Sequence, residues 1–121
     1  MIKGEDFELL EDLVKNLSGR FKHDRIVKEL ESRLENYNRF GLVMSNEEYH
    51  KNNVHGEVDV LAFDEIFKTW HFYEVKSRYT PSNLIKAQGQ YYKFQEAFPE
   101  LKSNGLMVFD KGIVRLKNRN I

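Results

Sequence analysis

The stretch HGEVDVLAFDEIFKTWHFYEVKS, residues 55–77, contains two apolar runs of β type joined by a polar turn. The first run carries Glu57 and Asp59, and the second carries Glu74 and Lys76. Residues two apart on a strand share a face. Glu57 and Asp59 are therefore predicted to point to one face, and Val58 and Val60 to the other. Charges are costly in a sheet that is covered on both faces, so these four positions need a specific reason to be charged.

The segments around this stretch predict an α/β fold with helices on both faces of one sheet. Helical spacing of apolar residues predicts helices over 5–17, ending at Ser18-Gly19, and over 22–37, while Thr80-Pro81-Ser82 predicts the start of a third helix that runs to about Phe98. Strands are predicted over 40–45, 56–64, 70–77, 106–109 and 113–116, with a polar loop over 46–55. Helices before and after a strand meander predict an α/β/α sandwich around a mixed sheet of four or five strands.

Composition narrows the classes of protein. The 121 residues are 40% hydrophobic, which suits a single domain over residues 1–121. No apolar run is long enough to span a membrane, the N-terminus does not resemble a signal peptide, and the absence of cysteine excludes disulfides, zinc–thiolate sites and iron–sulfur clusters. A cytoplasmic location is therefore expected. The net charge is zero, but residues 111–121 carry four basic side chains and no acid.

The charged strand positions are consistent with a metal site. If the two strands pair as a hairpin, Asp59 and Glu74 become neighbours about 5 Å apart at their Cα atoms. Two carboxylates that close repel each other, and a divalent cation such as Mg²⁺, which prefers oxygen ligands, relieves the repulsion. Lys76 would then orient a water or neutralise charge that develops on a phosphate. The alternative is a structural ion pair between Lys76 and one of the acids.

These residues resemble the motif of the PD-(D/E)XK nuclease superfamily, with Asp59 in GEVDVLAF and Glu74-Val75-Lys76 in HFYEVKS. The α-β-β-β-α-β order of predicted elements is also similar, although Val58 stands where the motif name has proline. The resemblance implies a restriction-endonuclease-like fold and a Mg²⁺ or Mn²⁺ ion bound by Asp59, Glu74 and the backbone carbonyl of Val75. It also implies that Lys76 assists the nucleophilic water.

A second similarity concerns the helix before the sheet. GRFKHDRIVKEL places His23 four residues after a glycine, which is similar to the first motif of RecB-type exonucleases and of related CRISPR-adaptation nucleases. That resemblance implies that His23 is a metal ligand, with a packed or capping histidine as the alternative. Glu29 and Glu31 are fallbacks, because Holliday-junction resolvases supply a helix glutamate instead. Glu57 is a further candidate acid, by resemblance to a small bacterial family with G-E-I-D and V-E-V-K strands.

A third similarity lies in KAQGQYYKF, residues 86–94. RecB-type nucleases carry a Gln and a Tyr about one helical turn apart after the E-x-K strand, and Gln88 with Tyr91 or Tyr92 fits that spacing. The resemblance implies that Gln88 is catalytic and that one tyrosine contacts nucleic acid, whereas an aromatic core position is the alternative for the other. Arg78 and Lys86 are expected to contact backbone phosphates or, equally well, to be solvated surface charges.

Together these patterns predict a Mg²⁺- or Mn²⁺-dependent deoxyribonuclease, acting as an exonuclease or an endonuclease. One alternative is a structure-selective endonuclease that resembles the Holliday-junction resolvases, and another is a non-catalytic nucleic-acid-binding module of the same fold. DNA is the expected partner, no membrane is involved, and a homodimer or a larger repair, recombination or replication complex is expected. A virus- or phage-encoded protein would fit equally well.

Overall fold

The computed structural model describes residues 19–119, and the side chains of residues 21–119. The helix predicted over residues 5–17 lies outside this range. In chain order the elements are α1 (Gly19–Glu35), β1 (Phe40–Lys51), β2 (Val54–Asp64), β3 (Thr69–Val75), α2 (Pro81–Ala97), β4 (Ser103–Phe109) and β5 (Gly112–Arg115). All the helices and strands predicted within the described residues are present.

The five strands form one mixed sheet in the order β1-β2-β3-β4-β5. The first three form an antiparallel meander, β4 lies parallel to β3, and β5 returns antiparallel to β4. Helix α2 makes the crossover between β3 and β4, which a parallel pair requires. The predicted α/β class with a mixed sheet is therefore confirmed, and the arrangement is consistent with a restriction-endonuclease-like fold.

Each face of the sheet carries its own apolar core. On one face α1 contributes Ile26, Leu30 and Leu34, which pack against Phe40 of β1 and apolar residues of β2, β3 and β4. On the other face α2 contributes Ala87, Tyr91 and Phe94, which are joined by Val58, Leu61, Phe72, Met107 and Leu116. Because both faces are covered, the central strands are apolar on both sides, and a charge there must be satisfied locally.

The polar loop predicted over residues 46–55 is wrong. Strand β1 continues to Lys51 and β2 already begins at Val54, so the segment forms the outer half of a long hairpin. The turn residues Asn52 and Asn53 have φ angles of 53° and 63°, the left-handed conformation that asparagine tolerates and that a tight hairpin turn needs. Most of this outer half is exposed, so its residues are polar and the apolar signal of a strand is missing.

Candidate functional site

The predicted acids lie where β2 and β3 separate. Pairing between the two strands ends at Val60 opposite Tyr73, so Asp59 and Glu74 occupy the next position on each strand. Beyond this point the Oδ2 atom of Asp59, rather than a backbone carbonyl of β2, accepts the backbone N–H of Val75 at 2.8 Å. The carboxylate therefore fills the gap between the strands and satisfies a buried backbone donor.

Strand β2 does not keep a simple alternation of faces through this position. Val58 and Leu61 belong to the core on the α2 face, whereas Val60 belongs to the core on the α1 face. The prediction that Val58 and Val60 share a face is therefore wrong. The alternation of side chains between the two faces of the sheet is interrupted between Val58 and Leu61, and Asp59 lies in this irregular stretch.

Strand β1 shows the same reversal directly opposite. Met44 and Tyr49, five residues apart, both pack on the α2 side, although strict alternation would place them on opposite faces. Between them Asn46 has a φ of 53°, a left-handed conformation that L side chains rarely adopt. Asn46 lies opposite Asp59, between the Ser45 and Glu47 pairings. A local backbone irregularity in β1 thus accompanies the carboxylate in β2.

The two carboxyl groups are buried and in contact. Asp59 is 8% exposed and Glu74 is 7% exposed, and their side chains are hydrogen-bonded to each other. Burial, together with the neighbouring Asp59 charge, raises the pKa of Glu74 from 4.5 to about 8, although Lys76 opposes the shift. Burial alone would raise the pKa of Asp59 as well, but hydrogen bonds from His23, Glu74 and the Val75 amide lower it. The raised pKa of Glu74 favours one proton shared by the metal-free pair at neutral pH.

Helix α1 brings His23 to the same point. Its Nε2 lies 3.4 Å from Oδ2 of Asp59, and its Nδ1 lies 3.4 Å from Oδ1 of Asp24. The hydrogen bond to Asp59 raises the pKa of His23, against the opposing effect of burial. His23 is placed there because the apolar stripe of α1, which includes Ile26 and Leu30, faces the sheet.

Lys76 lies on the other side of the pair. Its Nζ is 3.5 Å from Oε2 of Glu74, while its backbone N–H donates to the Val108 carbonyl at 2.9 Å and anchors the residue beside β4. Tyr49 approaches from the hairpin, and burial followed by the Glu74 charge raises its pKa to about 12. The site is thus two acids with an imidazole on one side, an ammonium on the other and a phenol nearby.

The polar side chains of the site contact one another in pairs and do not surround one common point. Within residues 19–119 no group of three or more His, Asp or Glu side chains converges closely enough to hold a metal by itself. Two contacting carboxylates that retain one proton nevertheless fit Mg²⁺ or Mn²⁺, because a divalent cation replaces the proton and waters or phosphate oxygens complete the coordination. For Val75 the structure gives a role to the backbone N–H, and the predicted role of its carbonyl stays a prediction.

The structure does not bring the Gln–Tyr pair to the acids. The Nε2 atom of Gln88 donates to the backbone carbonyl of Lys117 at 2.8 Å, and its Oε1 atom accepts the backbone N–H of Lys117 at 2.7 Å. Tyr91 is completely buried in the core, where its hydroxyl is 2.9 Å from that of Ser103. The expected contact of Tyr91 with nucleic acid is therefore wrong, because the ring faces the sheet. Tyr92 is partly exposed and lies under the guanidinium of Arg119.

The two additional acids also lie apart from the pair. Glu29 forms an ion pair with Arg25 at 2.9 Å along α1. Glu57 is exposed, faces Glu48 across the hairpin and lines a separate cavity of about 280 Å³ between the hairpin and α2. Both acids lie at the surface, and their positions give no support to the prediction that they add a further acid to the metal site.

The remaining two candidates are solvent-facing cations. Arg78 follows the E-x-K strand and Lys86 lies on α2, and both side chains are exposed. Sequence reasoning missed Tyr49 and Asn46, because both fell in the predicted loop. The Asn52-Asn53 pair is a turn signal that would have identified the hairpin.

No protein-family model and no curated protein sequence matches the chain. Among solved structures the chain is similar to a repair endonuclease from Pyrococcus abyssi, with a TM-score of 0.43 and 17% sequence identity. The match covers 76% of this chain but 38% of that protein, and a likeness of this size carries no argument about activity. None of the described helices is both long and apolar enough to cross a bilayer.

Proposed function

We propose that the protein is a metal-dependent nuclease that hydrolyses phosphodiester bonds in DNA. The observation that carries the proposal is the buried contact between Asp59 and Glu74, with Lys76 within 3.5 Å of Glu74. An ordinary structural ion pair needs one acid and one base. A second buried acid that must keep a proton at neutral pH weakens the fold, and such perturbed pairs are typical of functional sites.

The residues would divide the chemistry among them. Asp59 and Glu74 would hold Mg²⁺ or Mn²⁺, which supplies a polarised phosphate oxygen and a bound water of lowered pKa. The Val75 N–H and His23 hold Asp59 in place by hydrogen bonds to its Oδ2 atom, at 2.8 Å and 3.4 Å respectively. The Lys76 ammonium lies where it can stabilise negative charge that develops on a phosphate.

Cleavage of DNA provides the direct test. Single-stranded, double-stranded and four-way-junction DNA are each incubated with the protein in Mg²⁺, in Mn²⁺ and in EDTA. We expect cleavage with metal, and a loss of at least about 100-fold in Asp59→Asn and in Lys76→Met, because the first removes a proposed metal ligand and the second removes the ammonium proposed to act on the phosphate. The junction substrate separates a resolvase-like enzyme from a RecB-like one.

Glu57→Gln is the matched control, since it neutralises an exposed acid on the same strand as Asp59. It should cleave like the wild type, and circular dichroism should show all variants folded. The proposal is abandoned if the wild type cuts none of the substrates with either metal, or if Asp59→Asn cuts as fast as the wild type.

A further inference from the structure

The outer face of α2 contains a glycine that the fold itself does not need. Gly89 lies at the middle of the helix, on the side away from the buried Ala87 and Tyr91, and is exposed. A Cβ built at Gly89 meets nothing within 4 Å. A mid-helix glycine destabilises a helix relative to alanine, so a position with open space above it offers no internal reason for glycine. A close approach by something outside the chain is such a reason.

Cations stand on the same outer face, on either side of this glycine. Lys86 and Lys93 lie three residues before and four residues after Gly89, which places both on its helix face. Both lysines are exposed. The glycine therefore lies in a shallow gap between two positive side chains, one helical turn to each side.

A segment of chain adds further cations along the flank of α2. Residues 116–119, here called the C-terminal strap, follow β5 and are held against the helix by two glutamine amides. Gln88 binds both backbone groups of Lys117, and Gln95 accepts the N–H of Arg119 at 2.9 Å. Gln95 also donates to Asn118 at 2.6 Å. These bonds go to the backbone of Lys117 and Arg119 and to the side chain of Asn118, and they leave the side chains of Lys117 and Arg119 exposed.

The exposed cations of α2 and the strap outnumber the acid of this helix, which favours an anion: they are Lys86, Lys93, Lys117 and Arg119. Glu96 is the acid on the outer face of α2, and it is engaged by Arg119 at 3.7 Å. On the hairpin side the face is bounded by the cavity that Glu48 and Glu57 line together with Lys93. The Arg119 guanidinium lies over the Tyr92 ring of α2, 5.9 Å from its centroid.

We propose that the outer face of α2 around Gly89, together with the C-terminal strap, binds the phosphate backbone of a nucleic acid strand. Gln88 and Gln95 act as positioning residues that hold the strap, rather than contacting the nucleic acid themselves. Lys86, Lys93 and Lys117 neutralise phosphates, and Gly89 lets the backbone approach the helix. The inference deepens the proposed function, because it names the surface that holds the substrate, and it rests on that function.

Substitution of Gly89 gives a test in which stability and binding move in opposite directions. Gly89→Ala and Gly89→Gln should raise the melting temperature by a few degrees, since both residues favour helix and the space is empty. Affinity for a fluorescent single- or double-stranded DNA, measured by anisotropy in EDTA, should fall by about threefold for Gly89→Ala and about tenfold for Gly89→Gln. Ser32→Ala, at an exposed position of α1, is the control and should bind DNA like the wild type.

The positioning role has its own readout. Lys117→Ala and Gln88→Ala should each lower the slope of log K against log salt by about one phosphate contact. The double variant should show no further reduction, because both changes remove the same contact. A Gln88 that is merely structural would alter the melting temperature and leave the salt slope unchanged.

The proposed DNA-binding surface and the proposed nuclease activity can be refuted independently of each other. If the wild type binds no DNA in EDTA, or the Gly89 variants bind as tightly as the wild type, the binding surface is refuted whatever the cleavage assay shows. If DNA binds and the Gly89 variants weaken it, the surface stands even when the protein cuts no DNA, and the proposed nuclease activity then fails alone.

Discussion

The substitution Glu74→Gln should make the metal-free protein more stable at alkaline pH. Glu74 keeps its proton in the folded state up to a pKa of about 8, whereas its ordinary value is 4.5. Between those values the unfolded chain has lost the proton and the folded chain has not, so the stability of the wild type falls as the pH rises through this window. An amide in place of the protonated carboxyl can still donate to Asp59, but it does not titrate.

The size of the effect follows from the shift in pKa. One unit corresponds to about 1.4 kcal/mol, so a shift from 4.5 to about 8 gives a ceiling of about 5 kcal/mol. Relaxation of the buried site and entry of water lower this figure, and we expect a gain of at least about 2 kcal/mol for Glu74→Gln above about pH 8. Near pH 4.5, where the carboxyl is protonated in the folded state, the two proteins should be equally stable.

Urea denaturation in EDTA, at several pH values from about 5 to about 9, measures this difference directly. Glu57→Gln is the control, because Glu57 is exposed and its substitution should produce no such pH-dependent gain. A stability difference that does not change with pH, or a Glu74→Gln variant that is less stable than the wild type near pH 9, would contradict the reasoning. Added Mg²⁺ or Mn²⁺ should then stabilise the wild type more than the variant.

Three further outcomes follow from the packing. Burial alone would raise the pKa of Asp64, but the Arg39 ion pair and two backbone N–H groups lower it to about 2, so its contribution is present above about pH 4 and is lost toward pH 2. Arg39→Ala should therefore cost up to about 3–5 kcal/mol at neutral pH in a urea titration, because the buried Asp64 carboxylate then keeps only two backbone N–H groups and His71 at 3.5 Å. Gly105→Ala should cost about 1–3 kcal/mol by the same measurement, because its Cβ would lie 2.4 Å from the Tyr91 ring. Tyr49→Phe should unfold at the same urea concentration or a higher one, since the hydroxyl is buried without a partner in the described part of the chain.

Much of the fold could be predicted from local patterns. The stripe Ile26, Leu30 and Leu34 predicted α1 and the face that it buries, because residues four apart lie on one side of a helix. Thr80 and Pro81 predicted the start of α2, and the Thr80 side chain does accept the N–H of Asn83 at 3.0 Å. The neighbouring positions of Asp59 and Glu74 were predicted from the antiparallel pairing of the two strands, whose last pair is Val60 with Tyr73.

The outer half of the β1–β2 hairpin could not be predicted in this way. Its residues are mostly exposed, so they carry no apolar alternation, and the strand there is maintained by pairing with its partner. Tyr49 packs against Phe94 of α2 and against Phe98, which follows the helix, and both are distant from it in sequence. The same limit applies to Gln88, whose helix position was identified correctly but whose partner, Lys117, comes from a segment that local spacing cannot place.

The sequence by itself determined the order of helices and strands and the pair of acids on neighbouring strands, since these depend on periodicity and short-range pairing. The tertiary structure decided the chemical state of those acids. Burial raises the pKa of Glu74, while a backbone N–H from β3 and an imidazole from α1 lower the pKa of Asp59, at the point where the two strands separate. Desolvation and electrostatic coupling depend on distance in space, and elements far apart in the chain supply them.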